Sequence, residues 1–306
     1  MRPAYTAPKM PRLIIGLFPG VVLAALATPP AAQTPAQQGD PRAHTLYVSV
    51  LNEAGAPVTG LTAADFIVRE DGVAREVVDA RPAEAPLDIV LLIDDSAAAA
   101  DATSYLREGL AAFIERLHGK ADIQLMTTGD RPTLVAPFTE DTEQLKARVA
   151  RIFPRTAAGA YLLDAISEAS EALARRKSER PVIVALTFEG IDYSNLHYQR
   201  VLDELKESGA ALHVIAVGTP SSSMTDEMRN RNIVIAEGTS RTGGRRDQVL
   251  ALSGIPDKLK QAADELIGQY AVTYQRPDRL IPPERVEVST TRPNLTVRAR
   301  TRLETP

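Results

Sequence analysis

The side chains best suited to chemistry are the oxygen-bearing groups of Asp94, Asp95 and Ser96, which follow directly after an apolar run. Carboxylate and hydroxyl oxygens are ligands of divalent cations such as Mg²⁺. A further carboxylate, Glu189, follows a second apolar run. If the two runs are strands of one parallel sheet, these loops meet at its carboxyl edge, where open α/β sheets bind their ligands. We therefore expect an acidic cluster there that attracts cations.

Signatures of other active sites are missing from the sequence. It has neither a G-x-S-x-G elbow nor a Gly-rich phosphate loop, and it has no cysteine for thiol catalysis or zinc binding. His213 lies within the apolar run 211–217, where a buried structural histidine is the better interpretation. A hydrolase that uses Asp94 and Glu189 as a general acid–base pair stays open as the alternative to a binding protein.

The middle of the chain, residues 86–270, must position these loops, and it alternates apolar runs with amphipathic helical patterns. This alternation predicts an open, mostly parallel, doubly wound α/β sheet. Asp141 or Thr142 is predicted to cap a helix carrying Leu145, Val149 and Ile152, and 241–246 is interpreted as a basic loop. The predicted strands are 88–93, 123–126, 133–138, 181–186, 211–217 and 232–236, and the other predicted helices are 103–117, 162–175, 197–208 and 256–269.

The two ends of the chain are predicted to be β-rich. The N-terminal segment 44–84 contains alternating strands and Asp71-Gly72, a strong hairpin signal. The C-terminal segment 271–306 contains two alternating stretches around Arg292-Pro293-Asn294, which predicts a second hairpin. Because an isolated hairpin is marginally stable in water, we expect the two ends to pack together as one small antiparallel module.

The first residues have the pattern of a targeting signal. Residues 1–32 combine a basic start, an apolar run and small residues at cleavage positions, which is typical of a secretory signal peptide, and an uncleaved membrane anchor is the alternative. Residues 33–43 are predicted to be a flexible linker. Export to the periplasm or the medium follows, with no membrane span after cleavage. A net charge of −4 gives no basic surface for nucleic acid.

Three short segments of the sequence resemble those of the von Willebrand factor type A (VWA) domain. They are the strand followed by Asp94-Asp95-Ser96, the segment Leu162-Leu163-Asp164-Ala165 and the segment Thr242-Gly243-Gly244. The flanking segments are similar to a bacterial exported subgroup of VWA-related proteins. The resemblance implies an open α/β fold and a metal-ion-dependent adhesion site, in which a D-x-S-x-S loop, a threonine and an aspartate hold a divalent cation. That cation then takes a carboxylate from a partner protein.

This sequence departs from the metal-binding pattern, which makes its adhesion site degenerate. Asp94 and Ser96 match, but Ala98 replaces the second serine of the loop and Ala160 replaces the threonine. Glu189 stands near the position of the aspartate. The resemblance thus leaves Asp94, Ser96 and Glu189 as candidate metal ligands. Because Mg²⁺ demands near-octahedral oxygen ligation, we expect no resident cofactor, with weak binding of Mg²⁺ or another divalent cation left open.

The absence of an assembled catalytic group favours a non-enzymatic protein that binds another protein of unknown identity. The loops at the carboxyl edge of the sheet are predicted to form the contact surface. Asp95, Tyr161 and Tyr193 are the candidate ligand-binding residues because they lie in these loops.

Overall fold

A computed structural model describes residues 42–220, 225–277 and 283–303. The predicted signal peptide and all but the last two residues of the predicted linker lie outside this part of the chain. No helix in the described part has both the length and the apolar character that a membrane span requires.

The elements follow one another in an order that alternates strands and helices in the middle and uses strands at both ends. The strands are β1 (Ala43–Leu51), β2 (Phe66–Glu70), β3 (Val73–Arg75), β4 (Val77–Pro82), β5 (Leu87–Ile93), β6 (Ala121–Thr127), β7 (Thr133–Thr139), β8 (Pro181–Phe188), β9 (Ala211–Val217), β10 (Arg246–Val249), β11 (Tyr270–Gln275), β12 (Val286–Thr290) and β13 (Thr296–Arg298). The helices are α1 (Thr103–Arg116), α2 (Thr142–Val149), α3 (Leu162–Arg176), α4 (Tyr198–Ser208), α5 (Asp226–Ile233), α6 (Thr239–Thr242) and α7 (Ile255–Ile267).

The central sheet has six strands in the order β10-β9-β8-β5-β6-β7. All neighbours are parallel except β7, which runs antiparallel to β6 at one edge. This arrangement confirms the predicted open, mostly parallel α/β fold.

Helices cover both faces of the central sheet, which explains the unbroken apolar runs of its strands. Ile89, Leu91 and Ile93 of β5 pack with α1, α2 and α7 on one face. Val90 and Leu92 face the other side and pack with α3 and α4. The start of α2 also follows from local chemistry, because the Asp141 carboxylate accepts a 2.9 Å hydrogen bond from the amide of Gln144.

The predicted strand 232–236 is wrong. Its first residues close α5, and Val234–Gly238 forms a π-helical turn that continues into α6. Val234 and Ile235 are buried against α4 and β9. A short apolar run of this kind fits a buried helix as well as a strand, so periodicity does not separate the two.

The sixth strand of the sheet is instead β10, which begins at Arg246, the last residue of the predicted basic loop. Only Val249 of its four residues is a buried apolar side chain. The strand therefore lacks the apolar signal by which the other parallel strands are predicted.

Both chain ends contribute to antiparallel sheets, as predicted. One sheet has the order β13-β1-β11-β4 and the other β12-β2-β3. We call β1 to β4 together with β11 to β13 the terminal β module. Asp71 and Gly72 have φ values of 48° and 80° and connect β2 to β3, so the predicted hairpin turn is confirmed.

The predicted C-terminal hairpin is wrong in its pairing. Strand β12 pairs with β2, and β13 pairs with β1, so the two C-terminal strands belong to different sheets. Two such short strands would bury little surface against each other. Pairing with the N-terminal strands lets Val286 join Val50 and Val68 in one shared core.

Candidate functional site

The loops that follow β5 and β8 meet the segment 153–161 at the carboxyl edge of the central sheet. They enclose a groove of about 510 Å³, which we call the edge groove. Its floor consists mainly of alanine and glycine, and its polar groups belong to a few acidic and hydroxyl side chains. The lining residues are Asp94, Ser96, Ala97, Ala98, Asp130, Thr156, Ala157, Ala158, Gly159, Ala160, Tyr161, Phe188, Glu189, Gly190, Ile191 and Tyr193.

Asp94 is fully buried and its carboxylate is occupied by internal donors. One oxygen accepts a 3.0 Å hydrogen bond from the amide of Ser96. The other accepts from the amide of Phe188 at 3.0 Å and from the Thr187 hydroxyl at 3.3 Å. Asp94 therefore forms an Asx turn with Ser96, and its other oxygen holds the loop after β5 against the end of β8.

Asp95 also points into the protein. It is 4% exposed, and its oxygens accept hydrogen bonds from the amide of Gly129 at 2.7 Å and from the Arg155 guanidinium at 3.0 Å. A Cβ atom on Gly129 would lie 2.6 Å from the same carboxylate, so this contact requires glycine. Burial raises the pKa of Asp95, and these two donors oppose that shift. The structure thus corrects the prediction of a contact residue, because Asp95 belongs to the scaffold.

Glu189 forms an ion pair that the sequence did not predict. Its carboxylate lies 3.2 Å from the guanidinium of Arg231 and accepts a 3.2 Å hydrogen bond from the Gln248 amide. Arg231 is 2% exposed, and it also donates to the carbonyl oxygen of Phe188 at 3.1 Å. The negative charge of Glu189, in the loop after β8, is therefore neutralised by a residue of α5.

Asp192 fixes the other side of the groove, a role that the sequence analysis missed. Its buried carboxylate accepts from the amide of Leu162 at 2.7 Å and from the amide of Ser194 at 3.1 Å. Burial raises the pKa of Asp192, and these hydrogen bonds act in the opposite direction. The interaction ties the loop after β8 to the first turn of α3.

These residues do not fit a Mg²⁺ ion in the way that the resemblance implies. Of the three predicted ligands, Asp94 and Glu189 already satisfy internal donors, and Ser96 has only a hydroxyl to offer. Ala98 and Ala160 add no oxygen from their side chains. Within the described residues, no three acidic, histidine or cysteine side chains are grouped so as to hold a metal. The internal donors around the Asp94 and Glu189 carboxylates would compete with a cation, and metal binding by Asp94, Ser96 and Glu189 stays a prediction.

The other two predicted contact residues, Tyr161 and Tyr193, do come together. Their ring centroids lie 6.3 Å apart with an interplanar angle of 34°. The Tyr193 ring covers Gly159 so closely that a Cβ atom there would lie 2.2 Å from the ring. Tyr193 is nevertheless 52% exposed. The pair forms an aromatic wall beside the alanine floor.

Large exposed apolar side chains are concentrated at this edge of the sheet. Leu134 pairs with Met126 near the carboxyl end of β6, and Leu250 follows β10 directly. Phe153 follows α2, which returns to this edge because β7 is antiparallel. Five of the seven such side chains in the described residues are found here: Leu134, Phe153, Ile191, Tyr193 and Leu250.

The arrangement does not favour the hydrolase alternative. A general base must reach a substrate proton, but the Asp94 carboxylate is buried with three donors and the Glu189 carboxylate is held by Arg231.

Comparison with known families and structures agrees with the fold. The family of the von Willebrand factor type A domain matches residues 89–190. A von Willebrand factor type A structure from Catenulispora acidiphila aligns with a TM-score of 0.52 at 11% identity, covering 87% of this chain and 76% of that chain. Residues 89–190 thus match the VWA family, and the central α/β part has the fold of a VWA-type domain. No curated protein matches this chain.

Two further solved structures show weaker similarity. The vWF domain of the type V pili tip protein Mfa5 from Porphyromonas gingivalis has a TM-score of 0.45 and 14% identity, with 60% of this chain and 95% of that chain covered. Proximal thread matrix protein 1 from the mussel byssus has a TM-score of 0.48 and 13% identity, with 60% of this chain covered. This chain spans about half, 49%, of the mussel protein.

Proposed function

We propose that this chain is an exported, non-enzymatic module that binds another protein through the edge groove, without requiring a metal ion. Domains of the VWA type often mediate protein interactions. Export rests on the signal-peptide pattern of residues 1–32. Membership of a bacterial exported subgroup with a degenerate adhesion site is part of the same proposal.

One observation carries the proposal. The exposed side chains of Ile191 and Tyr193 border a groove whose acidic side chains at positions 94 and 189 are already paired inside the protein. Exposed apolar groups that border a concave surface are typical of protein interfaces. Tyrosine is also enriched among the residues that contribute most to binding.

A capture experiment tests the proposal. Residues 33–306 are immobilised and exposed to cell-envelope extract and culture medium, and proteins retained by the wild type are compared with those retained by Tyr193→Ala. Val78→Ala is the matched control, since Val78 is 44% exposed but lies on the terminal β module. Each candidate is then purified, and its Kd is measured with and without EDTA.

We expect a partner that binds the wild type and Val78→Ala with equal affinity and binds Tyr193→Ala at least about tenfold more weakly. Its Kd for the wild type should be the same with and without EDTA. Equal binding to all three proteins, or binding abolished by EDTA, would contradict the proposal. Turnover of an ester, phosphate or glycoside substrate that disappears in Glu189→Gln would favour the hydrolase alternative.

A further inference from the structure

We propose that the partner inserts a neutral apolar side chain into the edge groove, where a metal-bearing site would take a carboxylate. This inference rests on the proposed function and specifies the chemistry of the partner. It is carried by the pairing of charges around the groove, by the shape of its floor and by its aromatic wall.

None of the described residues that line the groove is a lysine or arginine that could receive a carboxylate. Arg231 is buried and directed at Glu189 and the carbonyl oxygen of Phe188. Arg155 is engaged by Asp95. A partner carboxylate would therefore lose its hydration and meet acidic side chains and alanine, which is unfavourable without a compensating ion or hydrogen bond.

The floor of the groove is shaped to receive a side chain. Ala98 and Ala160 stand where larger hydroxyl residues are expected from the resemblance, and each leaves room instead of an oxygen. The resulting volume of about 510 Å³ lies within the range of sites that enclose small ligands. An apolar side chain would displace water from the methyl groups of Ala98 and Ala160, which is favourable for apolar surface.

The wall of the groove supports the same chemistry. Tyr193 presents an exposed ring that packs over Gly159, and Ile191, two residues before it, is 43% exposed. A rigid ring loses little conformational entropy on binding, and it offers a face for aromatic or aliphatic contact. Asp130 at the groove is exposed, so its charge stays hydrated while the apolar group is buried.

Amino-acid amides serve as probes of this chemistry. ¹⁵N-labelled residues 33–306 are titrated with N-acetyl-tryptophan amide, N-acetyl-leucine amide, N-acetyl-lysine amide and N-acetyl-aspartate amide, each with and without Mg²⁺, and backbone amide shifts are followed. The tryptophan and leucine probes should shift the signals of Ala98, Gly159 and Tyr193 equally with and without Mg²⁺. The aspartate and lysine probes should bind at least about tenfold more weakly.

Two variants make the test specific. Ala98→Arg should abolish the shifts by filling the groove, and because Ala98 is exposed, the remaining spectrum reports whether the fold is retained. Tyr193→Ala should weaken the tryptophan probe about fivefold. Preference for the aspartate probe in Mg²⁺, preference for the lysine probe, or no shift with any probe would each overturn the inference.

The two proposals fail in different ways. A captured partner whose binding depends on Tyr193 but whose anchoring residue is acidic or basic leaves the proposed function intact and removes this inference. The opposite outcome is that the apolar probes bind the edge groove but no captured protein depends on Tyr193. That result would contradict the protein-binding function.

Discussion

At the scale of single residues, the acidic side chains Asp94 and Asp95 at the carboxyl edge of the central sheet act as parts of the scaffold. Asp94 connects the ends of two neighbouring strands through the amides of Ser96 and Phe188. A buried carboxylate with three donors stabilises the loops it joins, and its removal leaves those donors unpaired.

Asp94→Ala should therefore lower the free energy of unfolding by about 3 kcal/mol, measured by urea denaturation. Asp226→Ala is the control, since the Asp226 side chain is 84% exposed, and it should change stability by less than about 0.5 kcal/mol. Adding Mg²⁺ at about 10 mM should leave the Tm of the wild type unchanged, because an ion that bound only the folded state would raise it. A clear rise in Tm that Asp94→Ala removes would restore the metal site.

His213 is a second single residue with a measurable effect, because it makes the stability of the fold depend on pH. Its ring is fully buried in β9, and neither ring nitrogen has a hydrogen-bond partner. Burial lowers its pKa from 6.5 to about 4, Glu265 and Asp247 oppose this shift, and Arg245 and Arg298 add to it. The predicted structural histidine is thus confirmed by its burial.

The direction of the pH effect follows from that pKa. In the unfolded chain His213 is protonated below its ordinary pKa of 6.5, whereas in the folded chain it is protonated only below its lowered pKa of about 4. Stability from this group is therefore complete above pH 6.5 and declines by up to about 3 kcal/mol on acidification to pH 4. His213→Phe should flatten the stability profile between these limits, measured by urea denaturation at several pH values. An unchanged slope would contradict the assignment.

At the scale of elements, α5 supplies the cation Arg231, which pairs with Glu189 in the loop after β8. Arg231→Met should leave the carboxylate of Glu189 buried without its partner and lower the free energy of unfolding by about 3 kcal/mol. Arg229→Met is a matched control on the same helix, because its ion pair with Asp226 is exposed. Chemical denaturation of both variants measures the difference. Equal effects would show that the buried pair contributes nothing special.

Some of the strands could be predicted from the sequence alone, and others could not. Strands β5, β8 and β9 were predictable because both faces are covered and their residues are almost all apolar. Strand β10 was not, since its pairing with β9 is fixed by backbone hydrogen bonds and not by apolar side chains. Pairing of the C-terminal strands was missed for a related reason, because sequence proximity favours a hairpin over partners far away in the chain.

The candidate site was predictable in its position but not in its chemistry. Asp94 and Glu189 reach the carboxyl edge because they follow buried strands. Their functional state depends on distant donors, since Arg231 lies 42 residues from Glu189 and Arg155 lies 60 residues from Asp95. Spacing along the chain carries no signal for such pairs.

At the scale of the whole molecule, Arg180 joins the VWA-type domain to the terminal β module. Its guanidinium is buried and donates to the carbonyl oxygen of Ala85 at 3.2 Å and to the side chain of Gln269 at 2.8 Å. Gln269 in turn donates to Ser49 of β1 at 3.1 Å. Burial lowers the pKa of Arg180 to about 10, so it remains charged at neutral pH.

Arg180→Met should therefore weaken the connection between the two parts and lower the overall stability by about 3 kcal/mol. Calorimetry should show one transition for the wild type and a broader or split transition for the variant, because the two parts then unfold less cooperatively. Arg175→Met, which removes an exposed ion pair with Glu171, should leave the transition single. A single, unshifted transition for Arg180→Met would rule out this coupling.

The position of the terminal β module has a practical consequence for display. His44 and Leu303, close to the two ends of the described chain, line one cleft with Pro181 and Ala211, which begin β8 and β9. Parallel strands begin at one edge of a sheet and finish at the other, so these ends lie on the far side of the domain from the edge groove. If the protein is attached to a bead or a surface near either residue, its edge groove faces away from the attachment point and stays accessible to macromolecules in solution.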